Sequence, residues 1–377
     1  MPKIRSCSVC HHNNIAELID FGKQPVSHRF LENPGEEENT FNLKLGQCTT
    51  CGTVQLTDRI PIEKLKPRYD WITQNEPEVH LDDLAKTISQ LHGINKNSHI
   101  CGLSSKDSSL LLRLRNMGYT KTRQINPQIK KNGPADIFIA RHMLEHAYNF
   151  HQFVESAKKM VNKEGYIIFE IPDCQYAFEK LDYTVIWEEH TIYFTTETFR
   201  NCFAFVGLSL IHFEKVKYPI EDIYIGIARV NKNIQPAILK RELLEKELLR
   251  AQTFAYAYHD KMCKFKRFLS NYKQRGRKIA LFGAGHRSCT FLNLLNLKDY
   301  IEFIVDDNPR FRSLFMPGSR LPILESKDIL EKDIQLVILA LSLESEEKVI
   351  KKNEAFSNSK GKFVSILPGS KYAMEIE

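Results

Sequence analysis

Three observations predict an α/β protein built on two Rossmann-like parallel sheets, with a metal-binding module ahead of them. Between Ala135 and Asp173, two short apolar runs, Asp136–Ala140 and Gly165–Ile171, flank a helical segment. In that segment Phe150, Phe153, Val154, Ala157 and Val161 recur at helical spacing. Strand, amphipathic helix and strand in this order make half of a doubly wound parallel sheet. From Gly276 onward the same alternation starts again. Near the N-terminus, Cys7-Ser-Val-Cys10 and Cys48-Thr-Thr-Cys51 form two Cys-x-x-Cys pairs.

With 377 residues the chain has room for two or three domains, each able to bury a core. The net charge of +7 favours an anionic partner. The Lys and Arg residues are scattered, however, and no basic run is interleaved with aromatics, so a nucleic-acid platform is not expected. A phosphate-bearing small molecule accounts for a mildly basic enzyme. MPKIRSCSVC carries no apolar leader, and no window reaches transmembrane length. The expectation is a cytoplasmic protein without membrane contact, whose nine cysteines are reduced.

Each Cys-x-x-Cys pair offers two thiolates from one tight turn. Cys7, Cys10, Cys48 and Cys51 together satisfy tetrahedral zinc. Four thiolates close the coordination sphere, so this zinc is expected to organise structure and not to activate water. A redox pair is the alternative. His11 and His12 stand beside the first pair and are expected to face solvent. Further on, His142–His146 (HMLEH) follows the strand Asp136–Ala140, at the carboxyl end where open α/β sheets place ligands.

A strand ending in His-x-Leu-Glu-His, then a helix, then a strand closing in Glu-x-Pro-Asp resembles the class I S-adenosylmethionine-dependent methyltransferases. The resemblance is closest to the three-part sugar C-methyltransferases, which act on nucleotide-linked keto-sugars. The Phe21–Pro25 and Cys51–Leu56 segments also resemble that family's N-terminal module. The implied fold is a Rossmann-like class I methyltransferase core, an N-terminal zinc-binding module and a second, C-terminal Rossmann-like domain. The implied bounds are 1–68 for the module, 69–232 for the core, 233–275 for a helical linker and 276–377 for the last domain.

Further roles follow from the resemblance. The segment Tyr69–His80 stands where related enzymes close a tyrosine-rich loop over the active site, making Tyr69, Glu76 and His80 substrate-binding candidates. Pro77-Glu78 opening a helix over Leu81–Leu91 is the alternative reading. Ser98–Leu112 takes the place of the cofactor's glycine-rich turn. Gly102 falls where an acid is usual, Ser104 and Ser108 replace glycines, and Asp107 is retained. Asn126 stands where a carboxylate usually grips the ribose. Ser104, Asp107, Asn126 and His142 are therefore the cofactor-binding candidates.

Glu188-Glu189-His190 followed by Tyr193-Phe194 matches the family's catalytic segment, with Trp187 in place of a tyrosine. Carried over, His190 is the general base, Glu189 its neighbour and Tyr193 a substrate contact. His146 is expected to face the same crevice. Methylating the carbon beside a ketone requires removal of a C–H proton, for which an imidazole is suited near neutral pH.

Thr195 is expected to cap a helix running to Val206, with two antiparallel strands over Leu208–Tyr218 and Tyr224–Val230. Pro236–Tyr272 reads as one long helix linking core to last domain, with a coiled-coil dimer as the alternative, so the chain is expected to be a monomer or a homodimer. In the last domain Gly283-Ala284-Gly285 and Asp306 resemble a dinucleotide fingerprint, with Ser288 in the third glycine's place. The resemblance to the family's C-terminal domain instead implies a fold that works without nicotinamide. The expected function is S-adenosylmethionine-dependent C-methylation of a nucleotide-linked keto-deoxysugar. The alternatives are a member that binds sugar or moves protons without methylating, and an NAD-dependent oxidoreductase.

Overall fold

The computed structural model describes residues 4–71, 78–125, 133–218 and 222–376. The first strands are β1 (Ile15–Pro25), β2 (Thr40–Cys48) and β3 (Val54–Leu56), followed by the one-turn helix α1 (Ile62–Leu65). They form an antiparallel sheet that a later strand completes. That strand, β8 (Ile192–Tyr193), pairs with β3 through Gln55↔Ile192 and Val54↔Tyr193. The expected module boundary at residue 68 is therefore crossed by a strand from the core.

The core opens with α2 (Leu81–Ser89), β4 (Ile100–Gly102), α3 (Ser108–Asn116), β5 (Thr122–Gln124) and β6 (Ala135–Arg141). It continues with α4 (Phe150–Lys159), β7 (Val161–Pro172), α5 (Cys174–Lys180), α6 (Thr196–Phe205), β9 (Leu208–Val216) and β10 (Ile223–Val230). The strands are ordered β5-β4-β6-β7-β10-β9. The first four are parallel, and β10 and β9 close the sheet antiparallel. Alternation along β6 and β7 sends Phe138, Ala140, Ile167 and Phe169 to the face covered by α4 and α6. Ile137, Ile139, Tyr166 and Ile168 go to the face covered by α2 and α3. Thr195 caps α6 through its hydroxyl, as expected.

Only positions 125–134 lie between β5 and β6, although that connection must pass β4. Parallel crossovers usually run to a dozen or more residues because they carry a helix. The α4 face of the sheet carries an open groove of about 450 Å³, lined by described residues. Leu103, Ile125 and Phe138 line one side of it, and Tyr148, Phe153 and Met160 the other.

The linker is α7 (Arg241–Lys273). Ala251, Phe254, Phe265 and Leu269 on it are buried within the chain, Phe254 against Phe178 and Tyr183. The apolar stripe that a coiled-coil partner would need is thus largely spent inside the molecule. No helix among the described residues is long and apolar enough to cross a membrane.

The last domain runs β11 (Ile279–Phe282), α8 (His286–Leu294), β12 (Phe303–Val305), β13 (Ile323–Leu324), α9 (Asp328–Glu331) and β14 (Leu336–Leu339). It ends with α10 (Leu343–Lys352), α11 (Glu354–Asn358) and β15 (Lys362–Ser365). Its sheet is fully parallel, ordered β13-β12-β11-β14-β15. The zinc module docks here through the Leu31↔Phe315 bridge, Arg320 donating to the Glu36 carbonyl, and Gly318 N–H donating to Glu38.

Candidate active site

The four knuckle sulfurs come together at one point. Cys7 and Cys51 lie 3.6 Å apart and Cys10 and Cys48 3.5 Å apart, and all four sulfurs fall within 4.8 Å of one another. Tetrahedral zinc with bonds of about 2.3 Å sets sulfur–sulfur edges of about 3.8 Å, so the residues fit the ion. Each knuckle is closed by a backbone bond, His11 N–H to the Cys7 carbonyl and Gly52 N–H to the Cys48 carbonyl. Gly52 takes a φ of +80°, which a side chain would strain. His11 stacks on His151, and His12 lies exposed beside the Cys10 carbonyl. Zinc is a structural cofactor of this chain.

A second cluster forms where the three domains meet. The Glu145 carbonyl accepts N–H bonds from Thr191 and Ile192, and the Thr191 hydroxyl donates to the Glu145 and Ala147 carbonyls. These bonds hold the turn after β6 against the segment before β8. His146 and His190 consequently sit edge to face with ring centres 4.7 Å apart. His146 Nδ1 is 3.0 Å from the Glu189 carbonyl. A carbonyl only accepts, so Nδ1 carries the hydrogen and Nε2 keeps a lone pair for the site. Burial, reinforced by the neighbouring His146 and His286, holds the His190 pKa well below its usual value. His190 is therefore neutral near pH 7.

Around this pair, Trp187 is packed by His190 at 5.0 Å, by His28 at 5.4 Å and, stacked, by His286 at 4.6 Å. His28 comes from the zinc module and His286 opens α8, so each domain contributes an imidazole. Sequence pattern does not single out either residue. The available signals are position alone: His28 follows the Phe21–Pro25 segment, and His286 follows the Gly283–Gly285 turn.

The Glu189 carboxylate lies 3.4 Å from His28 Nδ1, so it serves His28 and not, as expected, His190. The carboxylate beside His190 is that of Glu145. Glu188 is buried and accepts from the backbone N–H and hydroxyl of Ser27. Burial pushes its pKa up to about 7.

Several other expected site residues turn out to be spent on the fold. Tyr193 is fully buried and exchanges hydrogen bonds with Trp187, donating to its carbonyl at 3.0 Å and accepting from its N–H at 3.2 Å. That leaves its phenol nothing to offer a substrate. Tyr69 stacks on Trp71, which packs against Phe311 of the last domain, and its hydroxyl reaches Glu32. His80 Nε2 is 2.9 Å, and His142 Nε2 3.0 Å, from Glu170. Arg141 Nε is 2.9 Å from the same carboxylate. Burial would raise the Glu170 pKa, but His142, His80 and the Arg141 charge outweigh it and hold the carboxyl well below the usual range. His80 and His142 thus belong to a buried ionic network. Glu76 and Asn126 lie outside the described residues.

The turn after β4 is also closed on itself. Ser104 and Asp107 form a capping box, and the fully buried Asp107 carboxylate accepts N–H bonds from Ser104 at 2.8 Å and Arg141 at 3.0 Å. The corrected picture is that Asp107 shapes the turn from within. What remains open beside it is the apolar groove, reached by Leu103 at the end of β4 and Ile125 at the end of β5. Its volume suits a nucleoside, and although it runs along the α4 face of the sheet, Leu103 and Ile125 bring one end of it to the carboxyl ends of β4 and β5, where open α/β sheets bind ligands. In this respect the residues fit S-adenosylmethionine.

The glycine turn of the last domain is bonded within itself. Asp306 accepts the Ala284 N–H at 2.9 Å, and the Ser288 hydroxyl donates to the Gly283 carbonyl. The acid that a dinucleotide ribose would need is thus already engaged by the turn's own backbone.

Comparison with known proteins agrees with this layout. Residues 7–65 match a zinc-binding domain family, 118–213 a methyltransferase domain, and 232–368 a C-methyltransferase C-terminal domain. The methyltransferase match begins past the altered turn at 102–108. C-methyltransferase NovU of Streptomyces niveus is 19% identical, over 97% of this chain and 96% of its own. Among solved structures, 1,6-didemethyltoxoflavin-N1-methyltransferase of Burkholderia thailandensis is 8% identical, covering 41% of this chain and 79% of its own at a TM-score of 0.33. Magnesium protoporphyrin IX methyltransferase of Synechocystis is 9% identical, covering 40% and 82% at 0.30. With these three domains matched in this order, and one relative aligned almost end to end, the chain is an S-adenosylmethionine-dependent methyltransferase with a zinc-binding N-terminal domain and a C-methyltransferase C-terminal domain.

Proposed function

We propose that this enzyme C-methylates a nucleotide-linked keto-deoxysugar, with His190 as the general base. The observation that carries the reading is a neutral, half-buried imidazole set against His146 where all three domains meet. A base for a C–H proton beside a ketone must be unprotonated at working pH and still reachable by substrate, which a half-buried imidazole with a lowered pKa satisfies. His146, with Nδ1 tied to the Glu189 carbonyl, holds its Nε2 lone pair beside that base and can accept a sugar hydroxyl. His286, half-buried and stacked on the buried Trp187, supplies a flat, partly apolar edge for the sugar face. His28 and Glu189 add a polar pair on the zinc-module side.

Leu103, Ile125 and Ala147–Asn149 border the groove that would hold S-adenosylmethionine. When bound, that cofactor supplies the methyl group accepted by the carbon His190 has deprotonated. The rest of the work belongs to the chain: orienting the ketone, excluding water and holding the removed proton on the imidazole.

The test is deuterium wash-in from solvent at the carbon beside the ketone of a nucleotide-linked keto-deoxysugar. General-base catalysis contributes about 100- to 10,000-fold, so His190→Ala is expected to lose exchange by that order while still binding the sugar nucleotide. Unchanged exchange in the variant assigns His190 a structural role and overturns the reading.

A further inference from the structure

Beside the thiolate zinc centre, one other group of metal-ligating side chains gathers among the described residues. A carboxylate oxygen of Glu145 and one ring nitrogen each of His146 and His190 lie within 4.8 Å of one another. Two imidazoles and one carboxylate on one side of a point are the donor set that holds zinc in hydrolases and iron(II) in non-haem oxygenases, leaving the other positions open.

Two independent features make this more than proximity. His146 is already set up as a ligand, since its Nδ1–H is bound to the Glu189 carbonyl and its Nε2 lone pair is left free. Tying the remote ring nitrogen to a carbonyl is how proteins orient metal-binding imidazoles. Glu145 is only 2% exposed, yet its Oε2 is buried without a hydrogen-bond partner among the described residues. An acidic oxygen left bare in the interior is costly and calls for a cation or a donor. The other oxygen lies 3.6 Å from Nδ1 of His142, whose Nε2 is already engaged with Glu170.

The geometry points to a second, open divalent-metal site formed by Glu145, His146 and His190, which takes a first-row ion such as zinc, cobalt or iron(II). The lone pair that binds the ion is the one His190 uses as a base. Loading the site and abstracting the substrate proton are then mutually exclusive, a consequence that rests on the function proposed above. A free transition metal thus acts as a reversible inhibitor at the catalytic base and leaves the structural zinc untouched.

Cobalt(II) titration of the full chain stripped of its zinc, carried out without substrate, tests the site directly. The structural centre gives intense thiolate-to-cobalt charge-transfer absorption, whereas a nitrogen–oxygen site gives only weak visible bands. The expected result is one equivalent with the thiolate signature, then a second, chelator-labile equivalent without it. Glu145→Gln and His146→Ala should each weaken only the second equivalent, by at least ten-fold. Retention of the thiolate band in each variant shows that it has folded. A wild-type protein that binds a single equivalent, or a second equivalent indifferent to both substitutions, overturns the site. If the second equivalent behaves as expected but added metal leaves deuterium exchange unchanged, the site stands and the assignment of His190 as base falls.

Discussion

Ser27 gives both its backbone N–H and its hydroxyl to the carboxylate of Glu188, across 161 positions of chain and from zinc module to core. The acceptor is buried beside the imidazole cluster, so the bond ties the metal module to the active segment.

Breaking this tie from its two ends should have unequal effects. Ser27→Ala removes one hydroxyl and is expected to cost about 1 kcal/mol. Glu188→Ala strands a buried N–H and should cost about 1–3 kcal/mol. Chemical denaturation of both variants measures the difference. Equal losses would mean that the hydroxyl and not the N–H carries the tie.

The thiolate centre should hold one tightly bound zinc per chain. Because metal binding and folding of such a module are one equilibrium, Cys48→Ser should disorder the module. It should also reach the core, since β8 completes the module's sheet two residues after His190. Hydrogen exchange at Ile192 and Tyr193 reports this. Full protection there after zinc loss would disconnect the module from the site.

His28 and His286 are expected to act on substrate binding and not on the proton. His28→Ala and His286→Ala should raise KM several-fold with kcat little changed, the mark of an interaction made equally in ground and transition states. A fall in kcat at constant KM would move either residue into the chemical step.

Burial raises the Asp107 carboxyl from 3.8 to about 6. A raised acid binds more protons folded than unfolded, so its contribution is present below pH 3.8 and is lost as the pH rises through 6. The difference is on the order of 3 kcal/mol. Asp107→Asn should abolish that part of the slope, while losing about 1–3 kcal/mol throughout because one amide N–H forfeits its acceptor. Urea midpoints between pH 4 and 7 for both proteins provide the check.

S-adenosylhomocysteine should bind weakly but measurably if Asn126 stands, as the family resemblance implies, where a carboxylate usually grips the ribose. Restoring the charge with Asn126→Asp is worth about 1.4 kcal/mol, or roughly ten-fold in Kd. Calorimetry showing tight wild-type binding would mean that the ribose is held by other groups.

The sequence made the local elements legible because their causes are local. The helical spacing of Phe150, Val154 and Ala157 produces α4, and Thr195 marks the start of α6. Two short motifs, HMLEH and Glu-Glu-His, were enough to pair His146 with His190. Their partners were not legible, since His28 and His286 reach the cluster only once three domains are packed. Residue type also misleads where a side chain has two possible uses. Asp107 matches a cofactor motif and instead caps its own turn, and Tyr193 matches a substrate contact and instead locks Trp187.

The pairing of β3 with β8 has a consequence for how the molecule is made. The module's cysteines leave the ribosome early, but the strand that finishes their sheet is synthesised long afterwards. Until then β3 has an open edge able to pair with other chains. Such distant pairings slow folding and prolong exposure of aggregation-prone intermediates. Early zinc capture would hold the nascent segment in register while it waits, so zinc-starved synthesis should yield aggregates that zinc added afterwards does not rescue.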